Sequence, residues 1–369
     1  LKGSITPENN AVVLLMRGFG PNPEGADLRP EFYDWLGTDP PPPVGDYFVP
    51  HQVHFKEQTR SDDPQAFYDL EQRLLRGPWK PGDSPRHAAW LKVNEKPLAV
   101  FAEASRREHY FHPMIPRGPE GKRQLLLMSL LPTVQACRQV ATALSLRATL
   151  RLGEGKIDAA LDDVLTVHRL GRQLTRGGSL IELLVGVALE VIAHQTEQAI
   201  FEHGKPTAKQ ALAYQAALLA LPQNGSAAEK VGKFERLMIL DSIQSLSDER
   251  FAEFPGLENF PREKFEREND PVVLEAACLT VNRWVDRIEK ALSDPNRASR
   301  DAELRAIAAE LQVLRDAARD SPRDFGGEER GLHLGPVFTA MLVPGLESVV
   351  RPTARIAHPR RTAAVAPHP

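Results

Sequence analysis

An all-α fold is predicted from three observations. Apolar residues recur with the 3.6-residue helical period from about residue 123, alternating strand patterns are nearly absent, and proline is unevenly spread. Of 31 prolines, 17 fall within residues 1–125, and only Pro132, Pro206 and Pro222 fall within 126–250. Proline lacks an N–H and clashes inside a helix, so the first third should hold short helices and rigid loops, and the middle long helices. The expected architecture is an irregular Pro-rich N-terminal portion packed on a bundle of long antiparallel helices. Its parts are a short-helix region at 1–122, the bundle at 123–350 and a disordered basic tail at 351–369.

The elements follow in order. ITPENNAVVLLMRGFG opens the first helix, with Thr6 as N-cap, Pro7 at the first helical position and Glu8 at the positive end of the dipole. RPEFYDWLG is a second short helix, and DPPPPVG is an extended, polyproline-like spacer. DDPQAFYDLEQRLLRG, SPRHAAWLKV and KPLAVFAEASRRE continue the series, with Trp35, Trp79 and Trp90 as packing anchors. Long helices are placed near 123–152, kinked or interrupted by Pro132, and near 156–175, 178–203, 207–221 and 226–250. Further helices lie near 271–292, started by Asp270-Pro271, and near 299–319, with a last amphipathic piece at 335–350. Phe251, Phe254, Phe260 and Phe265 mark a long aromatic connection between 250 and 271.

Composition excludes several classes. With 42% hydrophobic and 26% charged residues the chain is globular, and a net charge of −3 offers no electrostatic reason for a nucleic-acid partner. Two cysteines, Cys137 and Cys278, make neither a disulfide framework nor a Cys-based zinc site, and both read as small buried hydrophobes. No apolar run reaches the roughly 18–20 residues of a membrane-spanning helix. No signal peptide is visible, and a start at Leu1 in place of Met fits the removal of an upstream segment.

Known motifs fail when tested. GEGK at 153–156 has Leu150 where the phosphate loop needs glycine and Ile157 where it needs Ser or Thr. Ser179 follows two glycines but lacks the Gly-x-Ser-x-Gly elbow, and is read as the N-cap of the third long helix. LRATLRLGEGKIDAALDDVLTVHRLG resembles one tetratricopeptide-type hairpin, but Arg147 and Arg151 stand where that repeat wants apolar or small residues, and no second copy follows. His109 and His112, three apart beside Glu108, are candidates for metal ligands, with Pro113 arguing for a helix end or turn. No metal and no cofactor is otherwise implied.

The most informative stretch is SLIELLVGVALEVIAHQTE, residues 179–197. At about 100° per residue, Ser179, Glu182, Gly186, Glu190, His194 and Glu197 share one arc of about 120°. They form a stripe on an otherwise apolar helix. Its expected outlook is water or the polar face of the helix at 123–152, where Arg138 and Thr142 lie. Arg138 opposite Glu182 or Glu190 would make an ion pair in a groove, giving Arg138, Thr142 and Glu197 as candidate binding residues. Glu182, Glu190 and His194 are the catalytic candidates, as an acid–base or metal-assisted site. Gly186 favours close approach of something, since glycine costs about 1 kcal/mol inside a helix.

Two stretches, ITPENNAVVLLMRGFGP and DDVLTVHRLGRQLTRGGSLIELLVGVALEVIAHQTEQ, resemble a group of uncharacterised helical proteins common in planctomycete-type bacteria. The likeness covers roughly residues 4–350 and signifies a lineage, not a reaction, so it assigns no catalytic residue. It implies an upstream export or anchoring segment and hence the cell envelope, with the cytoplasm as the alternative. It also implies a C-terminal region with Tyr-Pro and Asp-Pro-Phe patterns, where this chain reads RPTARIAHPRRTAAVAPHP. The expectation is a non-enzymatic interaction or scaffold protein of the envelope that binds a protein or peptide. The alternative is a hydrolase-type enzyme on the Glu182/Glu190/His194 face.

Overall fold

The computed structural model describes residues 4–23, 28–56, 64–116, 124–129, 131–245, 271–320, 335–336 and 339. Every regular element among them is helical, as the periodicity predicts. The aromatic connection around Phe251–Phe265, most of the 335–350 piece and the 351–369 tail lie outside the described residues. In chain order the helices are α1 (Ala11–Phe19), α2 (Pro30–Leu36), α3 (His51–His54), α4 (Pro64–Leu75), α5 (Pro85–Val93) and α6 (Glu95–Ala104). Then come α7 (Pro132–Gly153), α8 (Ile157–Thr175), α9 (Leu180–Gly204) and α10 (Ala208–Leu219). The series closes with α11 (Ala227–Lys230), α12 (Arg236–Ser245), α13 (Pro271–Leu292) and α14 (Arg297–Asp320). Two compact units share them. One comprises Leu1–Pro113, Leu131–Gly177 and Glu182–Gly225, and the other Met114–Leu130, Gly178–Ile181 and Ser226–Pro369.

In the first unit the short helices and the first long ones contribute to one core. Trp90, Phe55, Phe101, Leu15, Leu98 and Leu144 are fully buried in it. Trp79 and Trp90 are anchors as expected: the Trp79 indole donates to Thr149 Oγ1 at 3.0 Å, and that of Trp90 to the Val49 carbonyl at 2.8 Å. Trp35 is not an anchor, being half exposed. The first helix starts later than its local signal suggests. Its N-cap is Asn10, whose side chain accepts from Val12 N, and not Thr6. Tertiary bonds decide this, because the Asn10 amide also donates to Phe111 O at 3.0 Å and accepts from Phe111 N at 2.9 Å. Pro132 likewise does not kink α7. It begins that helix, where its missing N–H has no intrahelical role.

α7 and α8 form a hairpin that turns at Gly155, whose φ of 74° suits glycine. Arg147 and Arg151, misplaced for a tetratricopeptide repeat, have a different use. Arg147 Nη2 lies 2.6 Å from Asp163 Oδ1, and Arg151 Nη1 lies 2.7 Å from Asp163 Oδ2, so two guanidiniums of α7 hold one buried carboxylate of α8.

In the second unit α11 passes through a π-turn at Val231–Glu235 into α12. Arg236 at the start of α12 reaches Asn282, Asp286 and Glu289 of α13. Arg287 of α13 joins Glu303 and Glu310 of α14. α13 begins at Pro271, as its Asp-Pro signal predicts. No helix among the described residues is long and apolar enough to cross a membrane. Cys137 is buried, Cys278 is only partly so, and neither forms a disulfide.

Candidate functional site on helices α8 and α9

The polar face of α9 does not meet Arg138, and only its C-terminal end, at His194 and Glu197, reaches water. Glu182 and Glu190 are both fully buried. Arg138 is exposed on α7, and Thr142 spends its hydroxyl on the Arg138 carbonyl at 3.1 Å. The guanidinium that meets Glu190 belongs to Arg172 of α8, with Nε 3.3 Å from Oε1 and Nη2 3.3 Å from Oε2. The reason is steric. A methyl at Gly186 would fall 2.6 Å from the Gly171 carbonyl oxygen, and one at Gly171 would fall 3.2 Å from Glu190 Cγ. Glycine opposite glycine lets α8 and α9 approach closely enough to bury polar side chains on both.

The helical register then assembles the site. On α8, His168 and Arg172 are four residues apart and share a face with Gly171 and Thr175. On α9, Glu190, His194 and Glu197 follow at i, i+4 and i+7. His168 Nδ1 lies 3.4 Å from Glu190 Oε1. Its other nitrogen, Nε2, has no hydrogen-bond partner although the residue is only 1% exposed, and it lies 3.8 Å from Glu197 Oε2. That same oxygen is 3.0 Å from His194 Nδ1. The His168 and His194 rings pack edge-on, 5.0 Å between centroids. Arg172 also donates to the Pro222 carbonyl, and Thr175 Oγ1 lies 3.1 Å from Asn224 Oδ1, tying the loop after α10 to the end of α8.

Electrostatics follow from burial and pairing. Burial raises the Glu190 carboxyl, but His168 and Arg172 outweigh it and hold the group below its ordinary value. Burial acts the same way on Glu197, yet His168 and His194 bring it down to about 2. Burial opposes a charged His168, and the two carboxylates reverse that and raise it. Tyr214 of α10, buried with an unpartnered hydroxyl, is pushed up by burial and by the charges of Glu197 and Glu190. Because His168 is raised, an ion taking its Nε2 lone pair would compete with a proton there.

His168, His194 and Glu197 can reach one ion, since their ligand atoms lie within 4.8 Å of one another. Metal–ligand distances of about 2.0–2.1 Å imply tetrahedral ligand pairs about 3.4 Å apart, and the measured 3.0 and 3.8 Å bracket that value. Glu190 would serve as the carboxylate that orients the ligating histidine through its other nitrogen.

Of the residues the sequence singles out, Glu190, His194 and Glu197 therefore come together. Glu182 goes elsewhere: it packs against Gly177 and carries the charge that raises buried Tyr110, burial being the larger cause. His109 and His112 do not form a ligand pair, because the chain there is not helical. His112 is buried edge-on against Phe32, 5.2 Å between centroids. Sequence reasoning misses His168 and Arg172, the half of the site on α8. Their signal is the i, i+3, i+4 spacing of His168, Gly171 and Arg172, which puts a small residue beside two polar ones on one helix face. No protein-family model matches the chain, and neither does any curated protein or solved structure.

Proposed function

We propose that the chain is a metal-binding helical protein whose α8–α9 site takes a zinc-class divalent ion through His168, His194 and Glu197. The observation that carries this reading is the buried, unpartnered Nε2 of His168, aimed toward Glu197 while Glu190 holds the opposite nitrogen. Two imidazoles and one carboxylate are the donor set of hydrolytic zinc sites, in which the fourth position carries water. His194 and Glu197 are partly exposed, with side-chain accessibilities of 33% and 23%, so that position would face solvent. The reaction class this supports is metal-assisted hydrolysis, in which the ion lowers the pKa of its bound water. In the full chain stripped of metal, Zn2+ titration followed by calorimetry should show a tight site that His168→Gln and Glu197→Gln each weaken at least about 100-fold. Unchanged Zn2+ affinity in both variants overturns the reading. Turnover of a chromogenic ester that requires Zn2+ and is lost in Glu197→Gln would support the hydrolytic part, and its absence from the loaded protein removes that part.

A second reading is an interaction or scaffold protein of the envelope, and one observation supports its interaction part. Leu212 and Leu219 of α10 are 64% and 73% exposed and lie seven residues apart on one face. Such a stripe suits docking of an apolar helix. Crosslinking in envelope extracts of the source cell should yield a product that Leu212→Glu/Leu219→Glu abolishes, and a product unaffected by that change would sink this reading.

A further inference from the structure

A second cluster in the first unit has the same chemistry and a different origin. It joins three short helices: His51 opens α3, Glu71 lies on α4 and His87 lies on α5. Nothing in the local sequence links them, for they are 20 and 16 residues apart. His51 Nε2 lies 2.6 Å from Glu71 Oε2, and His87 Nε2 lies 3.5 Å from the same oxygen. The three ligand atoms fall within 4.8 Å of one another.

Two features separate this cluster from an ordinary ion pair. The His87 side chain is 1% exposed, and its Nε2 has no hydrogen-bond partner even though it points at the cluster. Its Nδ1 is 2.7 Å from Ser84 Oγ. If Nδ1–H donates to that hydroxyl, Nε2 keeps its lone pair and faces the point shared with His51 and Glu71. The cluster is also enclosed by aromatic rings. Phe55, Phe67 and Trp90 wall the histidines, with ring centroids 4.6 Å from His51 to Phe55 and 5.5 Å from His51 to Trp90. Phe67 stacks on His87 at 5.6 Å. Among the described residues the ion-pair partners of Glu71 are the two histidines alone, each charged only if protonated. A divalent ion at the point shared by the three groups would pair directly with the Glu71 carboxylate inside that aromatic box.

We propose that His51, Glu71 and His87 form a second site for a divalent transition-metal ion, independent of the one on α8 and α9. Two nitrogens and one oxygen suit zinc-class ions and not Mg2+ or Ca2+, which prefer all-oxygen shells. With side-chain accessibilities of 18%, 12% and 1% for His51, Glu71 and His87, this site is more enclosed than the first, and its role is to hold α3, α4 and α5 together.

The test uses the full chain stripped of metal, with Zn2+ for stoichiometry and paramagnetic Co2+ for location. Co2+ bound at His51 sits beside Trp90 and should quench its fluorescence. Wild-type protein should bind two Zn2+, and Glu71→Gln should lose one of them together with the quenching. His194→Gln should lose the other and keep the quenching, whereas Trp90→Phe should lose the quenching and keep both ions. Ser84→Ala should weaken this site alone by about tenfold. If Glu71→Gln fails to fold by circular dichroism, His87→Phe, which preserves the stacking on Phe67, replaces it. Zn2+ binding insensitive to Glu71→Gln or His87→Phe overturns the proposal, as does Co2+ that leaves Trp90 fluorescence unchanged. One ion that survives His194→Gln but not Glu71→Gln upholds this site and removes the α8–α9 reading instead.

Discussion

Gly186 of α9 faces Gly171 of α8 with its Cα so near the Gly171 carbonyl that an added methyl carbon would lie 2.6 Å from the oxygen. Thr175 closes the other side, its N and Cγ2 each 2.7 Å from the same position. Two backbones in contact allow a glutamate and a histidine to be buried between helices and still meet each other.

Gly186→Ala therefore tests the fold and the site at once. Helix propensity alone would favour alanine by about 1 kcal/mol. The clash is with backbone, which cannot rotate away, so the net effect should be a loss of about 2 kcal/mol. Urea denaturation measures it, and an unchanged or raised midpoint would refute the close packing. Because α9 must shift, Zn2+ affinity at His168/His194/Glu197 should fall in the same variant.

Asp163 is the anchor of the α7–α8 hairpin. Replacing it with Asn leaves Arg147 and Arg151, whose side chains are 15% and 29% exposed, without their shared counter-charge. A loss of about 3 kcal/mol is expected, moderated by the solvent access of the guanidiniums. In a double-mutant cycle, Arg147→Ala should cost much less in the Asp163→Asn background than in wild type. Additive effects would show that the pair contributes no coupling.

His112 gives a pH dependence with a definite sign. Burial against Phe32 depresses its pKa from 6.5 to about 4. In the unfolded chain it takes up a proton as pH falls through about 6.5, and in the folded chain only near 4. Stability is thus fully present above the unfolded value and falls as pH drops from about 6.5 to 4, by about 3 kcal/mol in all. Against wild type, His112→Leu should show a flatter stability profile across that window. Parallel profiles would place the acid sensitivity elsewhere.

Glu235 carries the opposite sign. Its Oε1 accepts from Leu180 N at 2.8 Å, and burial raises its pKa, with that bond and Lys230 opposing. The folded state holds the proton to higher pH than the unfolded state does, so this group's contribution to stability declines as pH rises from about 4.5 through the raised value. Glu235→Gln retains an acceptor oxygen and removes the buried charge. It should match wild type at pH 4 and exceed it in thermal midpoint at pH 8. A lower midpoint at pH 8 would mean that the carboxylate is stabilising.

Part of the site was legible from periodicity alone. Helical spacing puts Glu190, His194 and Glu197 on one face of α9, and an interior glycine among them signals a close neighbour. Which neighbour is not local information. Arg138 and Arg172 are both arginines on adjacent long helices, and only the meeting of Gly171 with Gly186 selects Arg172 and brings His168 with it. The site of His51, Glu71 and His87 has no periodic signature, because three short helices separated by loops supply one ligand each.

Capping shows the same division. Pro271 and Pro132 both begin helices, in keeping with a residue whose fixed φ suits a first turn. At the start of α1 the Thr-Pro-Glu signal is outcompeted by Asn10, whose side chain is bound twice to Phe111, 101 residues away. The sequence by itself determined that the chain is helical, where most of its long helices run and which of their faces are polar, since those properties depend on neighbours three or four residues apart. Only the tertiary structure decided that Glu182 and Glu190 on the polar face of α9 are buried, against which partners, and that two His2Glu clusters form. Those outcomes depend on backbone contact between helices distant along the chain, and no local pattern specifies it.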